Sequence, residues 1–143
     1  LQYKPNADLD VTATGFFSSM NANNHGRLTS GAIYSMLVGK ARGTYGIDAP
    51  AISGHPTFER YYRVHQNTME ALISFIPGIV LFAYYVSADV AAGLGALFLI
   101  GRVLYLRAYV ADPKSRTLGF VLGYIPTQIL VIGGLIGAAM KLL

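Results

Sequence analysis

The sequence predicts an all-α integral membrane protein with three clear transmembrane helices. Three observations carry this. Of the 143 residues, 53% are hydrophobic and only 13% charged, where a soluble domain carries about a quarter; a disordered chain is excluded, because it would be polar and charge-rich. The apolar residues are concentrated from Ala71 onward in three segments, 71–88, 90–111 and 118–140, each close to the length a helix needs to cross the hydrocarbon core. The connections between them are very short, a pattern better explained by a bilayer than by buried soluble helices.

Leu1 to Ser30 is polar and rich in Asn, Ser, Thr and Asp. Leu9 to Phe17 alternates like a strand, and Asn21 to Gly26 has turn chemistry. The start is neither basic nor followed by an apolar core, so no secretory signal is visible. The first residue is not Met, and a fragment or processed chain is expected. Ala32 to Val38 is apolar but too short to span. Ala71 to Ala88 holds no charge and contains Pro77 and Gly78. Ser87-Ala88-Asp89 reads as a tight turn. Val90 to Ala111 is apolar except for Arg102 and Arg107, and Asp112 to Arg116 joins it to Leu118–Met140, with Pro113 as a stop. Pro126 lies inside the last span. Membrane helices accommodate such prolines when neighbours satisfy the freed carbonyls, and either proline can kink its helix. Gly93, Gly95, Gly133, Gly134, Gly137 and Ala138 offer small faces for close helix approach.

Lys40, Arg42, Arg60 and Arg63 precede the first span, and Lys114 and Arg116 follow the second. Two crossings separate these groups, so they share one side of the membrane. The opposite turn holds only Asp89. The positive-inside rule makes the basic side cytoplasmic, with Lys141 a minor exception. The net charge of +4 therefore does not point to nucleic acid, which wants a basic stripe with interleaved aromatics on a soluble surface.

Two groups of residues carry chemical information. Arg63, Asn67 and Glu70 fall at i, i+4 and i+7, on one helical face. The plainer alternative is a solvated helix end with an internal ion pair. Glu70 abuts the apolar run, and an ionisable group at membrane depth faces a partner or a cavity. Arg102, Tyr105 and Tyr109 share a face of another span. Arg102 is costly there and needs an anion, a carboxylate or water; Glu70 is the obvious internal candidate. Tyr105 and Tyr109 also fit an interfacial belt, and Arg107 is placed to snorkel. Pro113 interrupts the helix before Arg116, so helical phase cannot be carried to it.

Together these residues describe a site for a small polyanion with carboxylates, beside lipid from which an apolar reactant can arrive. A guanidinium beside a thiol favours the thiolate. The chain has no cysteine, so any thiol there belongs to the ligand, and cysteine nucleophiles, disulfides and cysteine-ligated zinc are excluded. His25, His55 and His65 match no metal spacing. There is no Ser/His/Asp arrangement and no glycine-rich phosphate loop.

Ala41-Arg42-Gly43, Ser53-Gly54-His55-Pro56, Phe58 to Glu70, Gly101-Arg102-Val103-Leu104-Tyr105, Ala108-Tyr109 and Asp112-Pro113 with Arg116 together resemble the MAPEG family, the membrane-associated proteins in eicosanoid and glutathione metabolism. The resemblance covers about residues 36–143. It implies a four-helix membrane bundle, here with an atypical or truncated first helix, assembled as a homotrimer. It implies glutathione as co-substrate, and transfer to lipophilic electrophiles or reduction of lipid hydroperoxides. By resemblance, Arg63, Asn67, Glu70, Arg102 and Tyr105 hold glutathione, with Arg42 a basic position at the end of the first helix. Arg116, with Tyr109, stabilises the thiolate. Leukotriene-forming members carry a tyrosine after the second-helix glutamate; Ala71 stands there, which argues against leukotriene synthesis.

Residues 1–35 resemble part of a TonB-dependent receptor instead, through Gly15 to Met20 and Gly26 to Gly31. A barrel strand and a helical bundle enter membranes by different routes, so this segment reads as chimeric or divergent. The expectation is a multi-pass protein of a bacterial inner membrane acting as a glutathione transferase or peroxidase. The alternatives are a non-enzymatic lipid-binding adaptor of the same family, or a non-functional chimeric product.

Overall fold

The computed structural model describes residues 32–143. The strand-like alternation at Leu9–Phe17, the Asn21–Gly26 turn, His25 and the TonB-like motifs lie outside the described residues. Four helices make up the rest: α1 (32–45), α2 (Pro56–Tyr85), α3 (Ala88–Ala111) and α4 (Thr117–Leu142), with one 3-10 turn, Pro113–Arg116, before α4. Three of them are long and apolar enough to cross a bilayer. The described residues are all-helical and form an integral membrane fold, as their apolar segments predict.

Local chemistry sets where each helix begins and ends. At the start of α2 the His55 Nδ1 accepts the Thr57 N–H at 3.2 Å, and the Glu59 carboxylate accepts the Gly54 N–H at 3.1 Å. Pro56 occupies the first turn, where its missing N–H is harmless. Gly54 sits at φ 137, a backbone open to glycine. The polar stretch Glu59–Glu70 is therefore the first part of a long α2. Ser87 caps α3 by accepting the Val90 N–H at 3.4 Å. The turn is thus at Val86 and Ser87, and Ala88 and Asp89 already belong to α3, because a serine makes a better cap than a turn centre. The Arg60 guanidinium donates to the carbonyls of Val110 at 2.9 Å and Ala111 at 3.1 Å, covering oxygens that a helix C-terminus leaves open. Both α2 and α4 continue past their internal prolines, Pro77 and Pro126.

Close backbone approaches define the register. Gly78 lies against Val131, Gly134 against Phe82 and Gly137 against Val86, so α2 and α4 run parallel. Gly101 lies against Leu122 and Gly123, and Gly119 against Tyr105, so α3 and α4 run antiparallel. A Cβ on Gly119 would strike the Tyr105 nitrogen and come within 2.6 Å of its Cα. Phe75 of α2 stacks on Phe98 of α3 at 3.9 Å. Leu72, Ile79, Phe82, Ala91 and Leu130 complete that core. Tyr34 of α1 packs with Val64 and Tyr105, and its hydroxyl donates to the Arg102 carbonyl at 3.1 Å. Outward-facing Ile73, Ile100, Ile125 and Ile132 are exposed, as suits a surface whose solvent is lipid.

Candidate functional site

The register stacks polar groups of three helices in layers. Asn67 of α2, Tyr105 of α3 and the start of α4 meet in one layer. Glu70, Arg102 and Gly123 meet one turn deeper. A cavity of about 460 Å³ runs along these layers, and five residues expected from sequence line it: Asn67, Glu70, Arg102, Tyr105 and Arg116.

Arg102 is buried, at 5% exposure. The sequence pointed to Glu70 as its counter-charge. The structure gives it other partners: its Nη2 donates to the Thr68 hydroxyl at 2.6 Å, and its guanidinium carbon lies 4.4 Å from the centre of the Tyr105 ring. Thr68 also donates to the Val64 carbonyl at 2.7 Å, so its oxygen presents a lone pair to the arginine. The Arg102 Nε has no hydrogen-bond partner among the described residues. The α2–α3 register explains the change, since Thr68 lies across from Arg102 while Glu70 is exposed. Glu70 and Arg102 thus share a cavity wall, and the carboxylate stays open to a ligand.

The Asn67 amide donates to the Tyr105 hydroxyl at 2.8 Å. Tyr105 is buried, and its ring centre lies 5.4 Å from that of Tyr109. Arg116 closes the series, with its guanidinium carbon 5.3 Å from the centre of the Tyr109 ring. The 3-10 turn Pro113–Arg116 brings it there. Asp112 accepts the Lys114 N–H at 3.1 Å, and the Ser115 hydroxyl donates to the Ala108 carbonyl at 3.1 Å, folding the connection back onto α3. Tyr109 touches Tyr105 and Arg116 without lining the cavity.

Two expected residues stand apart. Arg42 donates to the carbonyls of Ile47 at 3.4 Å and Asp48 at 3.3 Å, and its guanidinium carbon lies 5.0 Å from the centre of the Phe58 ring. It braces the α1–α2 loop outside the cavity lining. Arg63 lies one turn out from Asn67 on the same stripe of α2, exposed and also outside the lining. Conversely, the cavity includes Ser74, Phe120, Tyr124 and Gln128, and Arg102 leans on Thr68; none of these is charged, so none stands out in the sequence as the arginines do. Thr68, Ser74 and Gln128 do interrupt apolar runs with hydrogen-bonding groups, the signal that was available.

Chemically, the arrangement offers guanidinium groups for carboxylates, a free carboxylate for an ammonium, and an amide and phenol already oriented by each other. Its walls become apolar toward Phe98 and Phe120. The profile of the MAPEG family matches residues 31–136. An uncharacterized protein of Synechocystis sp. is 45% identical over 105 residues, covering 73% of this chain and 77% of that one. Human microsomal glutathione S-transferase 2 is 34% identical over 110 residues, 77% of this chain and 75% of its own. Rat leukotriene C4 synthase is 29% identical over 85 residues, 59% and 57% of the two chains. With the family profile spanning most of the chain, and two relatives above 30% identity covered over about three quarters of their length, the chain belongs to the MAPEG family.

Proposed function

We propose that the protein is a membrane transferase that joins glutathione to lipophilic electrophiles and reduces lipid hydroperoxides by the same thiolate. The observation that carries this is one cavity joining Arg102, Arg116, Glu70 and the Asn67–Tyr105 pair to an apolar wall. Glutathione brings two carboxylates, an ammonium and a thiol. Arg102 suits one carboxylate inside the cavity, Arg63, exposed one turn out from Asn67, suits the other where the ligand reaches past the lining, and Glu70 suits the ammonium. Arg116 faces the thiol and favours its ionised form. The Tyr109 ring beneath that guanidinium holds it in place, and the Tyr105 ring does the same for Arg102. The thiolate sulfur attacks an electrophilic carbon, forming a C–S bond as a leaving group departs with its electron pair or, with an enone, as the C=C π pair moves to the carbonyl oxygen and a proton from water then adds at the α-carbon. With a hydroperoxide, the sulfur takes the terminal oxygen and the alcohol leaves; a second glutathione then gives the disulfide and water.

The family names of the relatives support glutathione as co-substrate. The cavity is open on one side in a single chain, which accords with assembly as a homotrimer whose neighbouring copy completes each site. Lys40, Arg60, Arg63, Lys114 and Arg116 gather at one end of the bundle, which supports a cytoplasmic placement for that end in a bacterial inner membrane. The test uses purified protein in detergent. Glutathione binding by calorimetry and conjugation of chlorodinitrobenzene are expected together. Binding without turnover of any acceptor would make the protein a lipid-binding adaptor, and absence of binding would reject the reading.

A further inference from the structure

The cavity does not end at the arginines. Ser74 of α2 and Gln128 of α4 line its deep part. The Gly78–Val131 approach lies one turn beyond both, and α2 and α4 are parallel, so the two side chains sit at one depth. Gln128 lies about 18 Å along α4 from Arg116, near the middle of a hydrocarbon core about 30 Å thick. Thr68, earlier on α2, and Thr127, next to Gln128, return their hydroxyls to the carbonyls of Val64 and Gly123. Ser74 and Gln128 make no hydrogen bond within the described residues. A hydroxyl and an amide left open at that depth are unfavourable without a partner. Along α4 the stacked rings of Phe120 and Tyr124 separate Gln128 from Arg116, and on α3 Phe98 lies one turn deeper than Arg102, while on α2 Ser74 follows Glu70 by one turn.

From this polar–apolar–polar order we propose that Ser74 and Gln128 read an oxygen on the lipophilic substrate. The acceptor class is then a hydroxylated acyl chain with two separated features. Its electrophilic carbon lies at the Arg116 end, and its hydroxyl lies a fixed length of chain deeper. Gln128 supplies both a donor and an acceptor, and so does Ser74, so together they satisfy a hydroxyl in both senses. The inference rests on the transferase reading, since the reacting carbon must meet a thiolate near Arg116.

The experiment uses the full chain in phospholipid nanodiscs with glutathione and two matched series of alkyl enones. The series differ only in ending on a hydroxyl or on a methyl group, over graded chain lengths. The hydroxyl-to-methyl ratio of kcat/KM should peak at one chain length, at about tenfold. In Ser74→Ala and Gln128→Leu it should shrink, and in the double variant fall to about one. Each ratio compares two acceptors on the same protein, so a general loss of activity cancels, and the chain-length peak needs no variant at all. A flat ratio in the unaltered protein overturns the proposal, as does a preference that survives both substitutions. A change in the mass of the solubilised assembly on Gln128→Leu overturns it too, by assigning the amide to contacts between copies. Conjugation of chlorodinitrobenzene with a flat ratio sinks this inference alone; no conjugation of any acceptor sinks the transferase reading with it.

Discussion

The Arg102 guanidinium donates to the Thr68 hydroxyl at 2.6 Å while lying over the Tyr105 ring, so a charge within a membrane helix is held by a neutral hydroxyl and an aromatic face. Removing the hydroxyl at constant shape should expose how much this matters. Thr68→Val leaves a buried guanidinium hydrogen without an acceptor, a loss of about 1–3 kcal/mol. Thermal unfolding in detergent should fall by several degrees, and glutathione affinity with it. An unchanged melting temperature would show that Arg102 finds water or Glu70 instead.

The Asn67–Tyr105 bond predicts coupling between two helices. Asn67→Ala and Tyr105→Phe should each raise the KM for glutathione. Their combined effect should be smaller than the sum of the single effects by about 1 kcal/mol. Strict additivity in the double-mutant cycle would show that the two residues meet the ligand independently.

Arg116 is expected to act on the chemical step. Arg116→Ala should lower kcat by about two orders of magnitude while the glutathione Kd changes far less. The sign of the pH effect follows from charge. A nearby cation lowers the pKa of the bound thiol, so removing it moves the midpoint of the pH–rate profile upward. Equal losses in binding and rate, with no shift in that midpoint, would limit Arg116 to anchoring.

Packing predicts two opposite glycine outcomes. Gly119→Ala sets a methyl group against the Tyr105 backbone, which cannot move without separating α3 from α4 and disturbing the Arg102 and Tyr105 layers. Loss of the folded bundle or of conjugation activity is expected. Gly93 meets nothing within 4 Å, and Gly93→Ala should be neutral or stabilising by up to about 1 kcal/mol. Size-exclusion profiles and melting curves of the pair would decide it, and equal behaviour would mean that the close approach at Gly119 is dispensable.

Much of this architecture is legible without coordinates. Long charge-free runs marked α2, α3 and α4, because hydrocarbon admits few other segments. Helical spacing put Asn67 with Glu70 and Arg102 with Tyr105, because residues three, four and seven apart share a face. The basic residues at Lys40–Arg63 and Lys114–Arg116 marked one end. Gly133, Gly134 and Gly137 lie on the small faces that the sequence predicts and meet α2 or the turn beyond it, while Gly93 faces open space and the closest approaches to backbone, at Gly119 and Gly101, fall outside those predicted faces.

What a sequence determines is the angle of each side chain about its own helix. It cannot say which residues of another helix stand across from it, because that depends on register and on loops that break helical phase. Hence Arg102 turned to Thr68 and the Tyr105 ring instead of Glu70, Arg42 bonded to its own loop, and Arg116 was returned over Tyr109 by a 3-10 turn that no periodicity could cross. Ser74 and Gln128 are more than fifty residues apart, and only the parallel packing of α2 on α4 sets them at one depth of one cavity.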